Sequence, residues 1–411
     1  MKAIQLQKSY AKFAGAVLAN KLKGHGSSAS ALPLRLTELS EFKLPNEDWT
    51  YIYPIMSGIC GSDIKTIQAK SSRSLEHLVS FPFIPGHETV AVREDNGKRV
   101  VVESVLSCKS LGMDLCQFCG EESFDKCQCQ EFSPSIAPGL QIGFTKDIPG
   151  GWSEYSMAHQ DQLYEVPEDM SDEDAVMIEP MACAIHGVLK IRQEFLAGFS
   201  DSPLITVIGA GTLGLCTTAA LKFIFKDTVR ILTIAKYPYQ RQLAKAVSAD
   251  FLSGTDNIVN TVRHLTNSLI TGPSLTYGAD IVIDCIGSKE SIQGAINITK
   301  PGGQIILTGM PSKSNLDLSL LWQRQLTVTG AYTYSFETSN FLKSDKAKTF
   351  NIAIEASKSF KLGKLVSAKY DLDDYEAAIE HAIDAGKRDS TKIVFVNDKT
   401  DLMKKLQRRN Q

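Results

Sequence analysis

The feature that most constrains the fold is a Gly-rich turn between an apolar run and an apolar helical pattern. Residues Leu204–Gly209 read as a buried strand, and after the turn a helical pattern continues through Phe225. The turn carries Gly209, Gly211 and Gly214 in the spacing G-x-G-x-x-G. Such spacing is weak alone, but a strand before it and a helix after it are typical of a dinucleotide-binding βαβ unit.

Each glycine has its own physical role in such a turn. Gly209 permits the tight turn, Gly211 lets a pyrophosphate approach the backbone, and Gly214 allows close helix–strand packing. Phosphate would lie on the helix N-terminus, where amide groups lack partners. We therefore predict cofactor binding by the whole turn, against the alternative of a Gly-rich turn without ligand; its residues are Gly209, Gly211, Thr212, Leu213 and Gly214.

Further apolar runs follow the turn at the spacing of alternating strands and helices. They predict a parallel sheet with helices on both faces, which is an α/β, Rossmann-type doubly wound fold. The predicted strands are Val229–Ala235, Ala279–Gly287, Gly303–Gly309 and Leu326–Tyr332.

The end of the second strand indicates the kind of nicotinamide cofactor. An acidic residue there binds the ribose hydroxyls of NAD and repels a 2′-phosphate. This chain instead has Ala235 and Lys236, with Arg241 a turn further on. We therefore expect NADP in preference to NAD; the alternative is that both cations are ordinary surface charges and both cofactors are accepted.

Composition excludes several classes of protein. The chain of 411 residues suits two domains, and its net charge of −2 gives no case for nucleic acid or an anionic membrane. No apolar run is long enough to span a bilayer, and the start MKAIQLQKSY lacks a signal-peptide core. Nine cysteines without an export signal favour metal binding or free thiols over disulfides. We expect a cytoplasmic protein.

The first part of the chain has a different pattern. From Leu34 to Thr145, short apolar runs are broken by Pro, Gly and Asn, which predicts a β-rich domain with long loops. Ser171–Lys190 has apolar residues at helical spacing, and the strand Thr391–Val396 is expected to return to the first domain. The predicted domains are a zinc-binding catalytic domain at 1–195, a dinucleotide-binding domain at 196–345, and a return to the catalytic domain at 346–411.

Cysteine and histidine occur at spacings that suit metal. Cys60 lies in GICGSD and is followed by His87 and Glu88 in GHE. A second group has the pattern C-x7-C-x2-C-x7-C-x-C. Thiolates and imidazole suit tetrahedral zinc, and the grouping predicts one closed site and one open to chemistry. The second group is Cys108, Cys116, Cys119, Cys127 and Cys129.

These motifs, in this order, resemble the zinc-containing medium-chain alcohol dehydrogenases over about Leu34–Val396. The polyol, threonine and glucose dehydrogenase branch is the nearest, because IEPMACAIHG carries Glu179 where other members have a cysteine ligand. The resemblance implies a chaperonin-10-like β domain plus a Rossmann domain, with the active site in the cleft between them. It also implies a homodimer or homotetramer.

The resemblance assigns roles to individual residues. Cys60 and His87 would hold the catalytic zinc, with Glu88 or Glu179 as the third protein ligand. Three protein ligands leave a fourth position for substrate oxygen or water.

Three residues that follow the catalytic cysteine also match the family pattern. Ser62 would take the alcohol proton, and Asp63 would orient the ligand histidine. Lys65 stands where many relatives have a histidine that ends a proton relay. Either Lys65 relays the proton, or the proton leaves through the cofactor ribose and water, or the glutamates do that work.

The family's second zinc site has the spacing C-x2-C-x2-C-x7-C. Cys116, Cys119 and Cys127 match its last three positions, while Cys108 or Cys129 would supply the fourth ligand, with Cys108 preferred. The alternative is a lobe with free thiols. A further departure is an insertion within Lys8–Ala31.

The sequence therefore predicts a zinc- and NAD(P)-dependent oxidoreductase. Its small-molecule substrate would be a secondary alcohol, or the matching ketone, of a polyol, sugar or amino alcohol. The alternative is a nicotinamide-binding structural or regulatory protein without catalytic activity, which the retained ligands disfavour.

Overall fold

The computed structural model describes residues 1–9, 11–15, 32–196, 202–342 and 346–398. Most of the predicted insertion within Lys8–Ala31 lies outside these residues. The chain forms two compact units, which we call the β-rich unit and the dinucleotide unit. The β-rich unit contains the chain up to Glu179 and again from Lys361 onward, and the dinucleotide unit is Pro180–Phe360.

The strands lie in chain order as follows: β1 (Lys2–Leu6), β2 (Leu34–Glu38), β3 (Trp49–Gly58), β4 (Thr89–Arg93), β5 (Arg99–Val102), β6 (Ser156–His159), β7 (Leu163–Glu165), β8 (Leu204–Ile208), β9 (Arg230–Ile234), β10 (Phe251–Ser253), β11 (Ile270–Thr271), β12 (Ser274–Leu275), β13 (Ala279–Asp284), β14 (Thr299–Leu307), β15 (Thr327–Gly330), β16 (Phe336–Glu337), β17 (Ala347–Lys348), β18 (Val366–Tyr370) and β19 (Lys392–Val396).

The α-helices are α1 (Gly61–Ile67), α2 (Gln117–Gly120), α3 (Asp172–Ala175), α4 (Ile178–Leu189), α5 (Gln193–Leu196), α6 (Thr212–Phe225), α7 (Pro238–Ala246), α8 (Ile258–Leu265), α9 (Lys289–Ile298), α10 (Ser319–Gln323), α11 (Thr349–Phe360) and α12 (Tyr375–Ile383). Short 3₁₀ helices span Arg73–Leu78, Phe124–Lys126, Gln160–Gln162, Leu362–Leu365, Leu372–Asp374 and Ala385–Arg388. In the described residues, no helix has the length and apolar character that crossing a bilayer requires.

The β-rich unit is built on a seven-stranded sheet. Its order is β18-β19-β3-β4-β5-β7, with β6 also paired to β3. All of these pairs are antiparallel except β18 with β19. The strand Lys392–Val396 joins this sheet beside β3, as the sequence predicted for the returning C-terminal segment.

The dinucleotide unit contains a six-stranded sheet in the order β10-β9-β8-β13-β14-β15. Every neighbouring pair is parallel. All five residues of β8 are buried, as expected for a strand covered on both faces. The α/β, doubly wound prediction is therefore confirmed. Four of the five predicted strands begin within one residue of the expected start, whereas β14 begins at Thr299, four residues before the expected Gly303.

The first domain boundary differs from the prediction of residue 195. The helical pattern Ser171–Lys190 forms two helices, α3 and α4, and the boundary falls at the start of α4. The residues after α4 belong to the dinucleotide unit because the Gln304 side chain of β14 holds them. Its amide nitrogen donates to the Lys190 carbonyl at 3.0 Å, and its oxygen accepts from the Arg192 amide at 3.2 Å.

A buried ion pair also holds α4 in the dinucleotide unit. His186 Nδ1 lies 2.6 Å from Glu337 Oε1, which also accepts a hydrogen bond from the Thr349 hydroxyl at 2.7 Å. Burial would raise the pKa of Glu337, but these partners lower it overall below its ordinary value. The buried His186 of α4 thus has a partner that the sequence did not indicate.

The second boundary lies at Phe360–Lys361 rather than at residue 345. Helix α11 packs against α6, so its apolar face is buried in the dinucleotide unit. The chain returns to the β-rich unit only after α11 ends.

Candidate metal centre and cofactor turn

The ends of three strands meet at the candidate metal centre, in the β-rich unit. Strands β3 and β4 are antiparallel, with Ser57 opposite Thr89. Cys60 therefore follows the end of β3 at the place where His87 and Glu88 precede β4. One ligand atom from each of these three side chains lies within 4.8 Å of the other two.

Asp63 joins the cysteine and the histidine. It lies in the first turn of α1, where its Oδ2 accepts a hydrogen bond from the Cys60 amide at 2.9 Å. Its Oδ1 is 3.4 Å from His87 Nδ1, and both side chains are buried. Since Nδ1 faces this carboxylate, Nε2 is the nitrogen available to a metal.

The electrostatic environment of His87 favours positive charge. Burial acts to lower the pKa of His87, but the Asp63 carboxylate and the Cys60 thiol raise it overall, well above its ordinary value. Beyond their mutual contact at 3.4 Å, His87 Nδ1 and Asp63 Oδ1 are buried atoms with no hydrogen-bond partner among the described residues. The carboxylate of Asp63, the imidazole of His87 and the thiol of Cys60 together form a site that suits a bound cation.

Lys392 is a further side chain beside the candidate metal centre, and sequence reasoning missed it. Strands β19 and β3 are antiparallel with Val394 opposite Gly58, which brings the first residue of β19 to the level of Cys60. The Lys392 ammonium forms an ion pair with Glu88 Oε2 and donates to the Ile59 carbonyl at 3.4 Å. The available signal was a lysine opening an otherwise apolar strand, KIVFV.

The Glu88 carboxylate rests on the backbone of Gly58. A Cβ atom at Gly58 would lie 2.0 Å from Glu88 Oε2, so only glycine leaves the space that this carboxylate fills. The Lys392 and Glu88 side chains are 1% and 2% exposed. Burial acts to lower the pKa of Lys392, but Glu88, Cys60 and Glu179 raise it overall.

Glu179 is buried at the start of α4, but it is not among the three ligands that lie within 4.8 Å of one another. Of the two glutamates that the sequence left open as third ligand, Glu88 is the one in this group. Ser62 and Lys65 lie half-buried on α1. The Thr66 hydroxyl donates to the backbone carbonyl of Ser62 at 2.9 Å, so that bond does not engage the Ser62 hydroxyl.

This donor set fits zinc. A thiolate, an imidazole and a carboxylate are its common protein ligands, and three of them leave a fourth tetrahedral position open.

The cysteine lobe brings four thiols within 4.8 Å of one another. Two of the S···S distances are 3.7 Å, for Cys108–Cys127, and 3.9 Å, for Cys116–Cys127. Four sulfurs around zinc at about 2.3 Å lie about 3.8 Å apart, so the lobe fits a closed four-thiolate site. The group contains both Cys108 and Cys129.

Cys119, which the family spacing predicted as a ligand, is not in that four-thiol group. It is buried beside the group, and its backbone amide donates to Cys116 Sγ at 3.5 Å. Cys129 follows Cys127 with one residue between them, and its thiol belongs to the group in which strict spacing would include Cys119.

In the dinucleotide unit, the Gly-rich turn has the geometry that phosphate binding needs. Gly209 has φ +102°, a region that residues with a side chain rarely adopt. A Cβ atom at Gly214 would lie 1.8 Å from the Gly209 carbonyl oxygen, so α6 packs directly on the turn. Gly211, the N-cap of α6, has no heavy atom within 4 Å of the corresponding position, and this leaves room for a ligand.

Two cations lie at the end of β9. Lys236 is exposed, and the half-buried Arg241 donates from Nη1 to the Ala235 carbonyl at 3.3 Å. The guanidinium is therefore held beside the strand end, and no carboxylate occupies positions 235–237.

Comparison with known proteins agrees with this arrangement. A model of the family described as "Alcohol dehydrogenase GroES-like domain" matches residues 46–168, and one described as "Zinc-binding dehydrogenase" matches residues 212–345. Together they cover more than half of the chain.

Similar curated proteins include sorbitol dehydrogenase of Bacillus subtilis, 24% identical over 82% of this chain and 87% of its own length. D-xylulose reductase of Saccharomyces cerevisiae is 24% identical over 84% of this chain and 90% of its own. The structure of galactitol-1-phosphate dehydrogenase from Escherichia coli aligns with a TM-score of 0.67 at 18% identity, over 97% of this chain and 100% of that one. The chain belongs to the zinc-containing medium-chain alcohol dehydrogenase family, nearest its polyol dehydrogenase branch.

Proposed function

We propose that this chain is a zinc- and NAD(P)-dependent dehydrogenase that interconverts a secondary alcohol of a polyol or related sugar and the matching ketone. The observation that carries the proposal is the grouping of half-buried Cys60 with buried His87 and Glu88 in a chain that also has the Gly-rich turn. The names of the sorbitol and D-xylulose relatives indicate the polyol class.

The metal ligands and their neighbours have distinct tasks. Zinc would supply a Lewis acid for the alcohol hydroxyl, and the nicotinamide would supply the hydride acceptor. Cys60, His87 and Glu88 would hold the metal, while Asp63 fixes the ring of His87 through Nδ1. Ser62 would accept the hydroxyl proton.

The proton leaves Ser62 for solvent. Lys65 lies three residues further along α1, where helical neighbours share a face, and we propose that it carries this proton. The routes through the cofactor ribose and through the glutamates are the alternatives. Glu179, which is buried and is among the anions that raise the pKa of Lys392, would be the alternative carboxylate ligand to Glu88.

The turn of Gly209, Gly211 and Gly214, with the amides of Thr212 and Leu213, would bind the cofactor pyrophosphate at the N-terminus of α6. At the end of β9, the Ala235 segment with Lys236 and Arg241 favours the 2′-phosphate of NADP.

The cysteine lobe would hold a second, structural zinc through Cys108, Cys116, Cys127 and Cys129. A homodimer or homotetramer and a cytoplasmic location stay predictions of the sequence. The non-catalytic alternative has no support among the relatives, whose names describe dehydrogenases and reductases.

The test is a survey of substrates with purified protein. Sorbitol, xylitol, sugars, amino alcohols and simple alcohols are each mixed with NAD or NADP, and absorbance of the reduced nicotinamide is followed. We expect turnover of polyols that stops after chelation of the metal and returns when zinc is added.

A Cys60→Ser variant provides the matched control. It should lose turnover and one bound zinc per chain, while cofactor affinity, measured by fluorescence of the reduced nicotinamide, stays within about twofold because the turn is in the other unit. Full activity after exhaustive chelation, or in this variant, would exclude the proposed function.

A further inference from the structure

The cysteine lobe contains one thiol more than a closed zinc site needs. Cys108, Cys116, Cys127 and Cys129 supply the four thiols that lie within 4.8 Å of one another, and four ligands complete a tetrahedral structural site. Cys119 is the fifth thiol of the lobe, and it is buried. The proposed function does not use it, so its position beside the zinc ligands needs a separate explanation.

The fifth thiol lies against one ligand in particular. Cys116 comes immediately before α2, Cys119 lies within that helix, and Gln117 and Phe118 separate the two. The Cys119 amide donates to Cys116 Sγ at 3.5 Å, and the Cys119 thiol also interacts with the Cys116 thiol. The spacing C-x-x-C is also found in proteins that form and break disulfides, because it brings two sulfurs together on one short segment.

The two thiols differ in their access to solvent. Cys116 is half-buried, and the side chains of Leu115 and Phe118 beside it are exposed, so a small oxidant can reach its sulfur. A cysteine that binds metal does so as the thiolate, which is also the form that attacks an oxidant. Cys119 is buried and outside the group of ligands, so we expect it to react second.

We propose that Cys116 and Cys119 form a disulfide site that a hydroperoxide oxidises and that controls zinc retention by the lobe. The Cys116 thiolate attacks a peroxide oxygen, the O–O bond breaks, and Cys116 becomes a sulfenic acid while hydroxide leaves. The Cys119 sulfur then attacks the Cys116 sulfur, and the displaced hydroxide leaves as water with the Cys119 proton. Two electrons pass from the pair of sulfurs to the peroxide, and the lobe loses one ligand.

The fifth thiol thereby makes the oxidation reversible. A disulfide is reduced again by thiols, whereas a sulfenic acid without a neighbouring thiol goes on to sulfinic acid, which thiols do not reduce. Without the Cys116 thiolate the lobe keeps only three of its four ligands, so zinc binds less firmly until the disulfide is reduced. This inference rests on the structural zinc of the proposed function.

The experiment uses the full-length Cys60→Ser protein, in which the lobe is the expected zinc site. Hydrogen peroxide is added with a chromogenic zinc chelator, the remaining thiols are blocked, and the protein is digested with trypsin. Cleavage after Lys109 and Lys126 gives a peptide, 110–126, that contains Cys116 and Cys119 and no other cysteine. We expect this peptide to be lighter by two hydrogen atoms, and zinc release to be about tenfold faster or more than without peroxide. A dithiol and added zinc should reverse both changes.

A Cys119→Ser substitution in the same background separates the two roles. This protein should hold about one zinc per chain before oxidation, because the four ligands remain. After peroxide its Cys116 should carry sulfinic acid, and less than about a tenth of the zinc should return with the dithiol. Cys119→Ala serves if the serine variant folds poorly. As the matched control, Cys216→Ser removes a thiol buried in α6 of the dinucleotide unit and should behave as the parent protein does.

Several outcomes would overturn the inference. Sulfinic acid on Cys116 beside a reduced Cys119, a bond from Cys116 to Cys127 instead, or a disulfide that forms without zinc release would each do so. Full zinc recovery in the Cys119→Ser protein would mean that Cys119 does not resolve the sulfenic acid, and absence of zinc from that protein alone would make Cys119 a ligand. If the Cys60→Ser parent itself contains no zinc, the structural zinc of the proposed function fails together with this inference.

Discussion

A Gly214→Ala substitution tests whether α6 packs on the Gly-rich turn as closely as the structure indicates. The new Cβ would lie 1.8 Å from the Gly209 carbonyl oxygen and 2.7 Å from its carbon. Both contacts are with backbone atoms, so no side chain can turn away to make room. The helix and the turn would have to separate by more than 1 Å to reach ordinary contact.

The magnitude follows from two opposing effects. An alanine in a helix is worth about 1 kcal/mol more than a glycine. Overpacking costs about 1–3 kcal/mol, and the upper end applies because the neighbour is rigid backbone. We therefore expect a net loss of about 2 kcal/mol in the free energy of unfolding, which lowers the melting temperature by about 4–8 °C.

The matched control lies in the same unit. Gly294 is in the interior of α9, and its missing Cβ has no heavy atom within 4 Å. Gly294→Ala should raise the free energy of unfolding by about 0.5–1 kcal/mol, because only the helix preference changes. Thermal denaturation of the two variants and the wild type, followed by circular dichroism, gives the comparison.

Cofactor affinity adds a second measurement. Gly211→Ala should leave the melting temperature within about 2 °C, since its Cβ meets no protein atom, but should weaken NADP binding about tenfold or more because the Cβ projects toward the phosphate. Stability of Gly214→Ala equal to that of Gly294→Ala would refute the close packing of helix and turn. Unchanged NADP affinity in Gly211→Ala would refute phosphate binding at this turn.

Three further predictions concern charge, metal and pH. Arg241→Leu should lower kcat/KM for NADP about tenfold and spare NAD, whereas Lys245→Ser, an exposed change on the same helix, should affect neither; equal losses with both cofactors would contradict a 2′-phosphate role. Cys129→Ser should remove the lobe's zinc, measured per chain by elemental analysis, while Cys119→Ser should retain it. The reverse result would mean that Cys119, as in the family's spacing, is the ligand and Cys129 is not. Glu337→Gln should cost about 1–3 kcal/mol in urea unfolding above the carboxyl's ordinary pKa of 4.5. Since the folded state lowers that pKa, the difference between variant and wild type should vanish as the pH falls through the lower folded value; a difference that persists there would rule out the ionised pair.

The fold was readable from the sequence where periodicity decided it. The buried strands of the dinucleotide unit are continuous apolar runs, and β8 and the turn after it lie where the spacing of Gly209 and Gly214 predicted them. The domain boundaries were less readable. The ion pair of His186 with Glu337 and the contacts of Gln304 are made between distant segments, and no local pattern records them.

In the metal centre, too, local motifs were readable from the sequence and contacts between distant segments were not. Short motifs were enough to find Cys60, His87 and Glu88, because the segments GICGSD and GHE themselves contain the residue types that bind zinc. Lys392 was missed because its partner is far away in the chain and because a lysine at the start of a strand is usually exposed. The choice among the lobe cysteines depended on loop geometry, which spacing alone does not give.

The position of Lys392 also bears on how the protein is made. Its ion-pair partner Glu88 lies 304 residues earlier in the chain. During synthesis the uninterrupted dinucleotide unit can fold before β19 has been translated, whereas the sheet that carries Cys60 gains β19 only after that unit has been made. Until then Glu88 is without its counter-charge. A nascent chain should therefore bind metal with an affinity different from that of the folded protein.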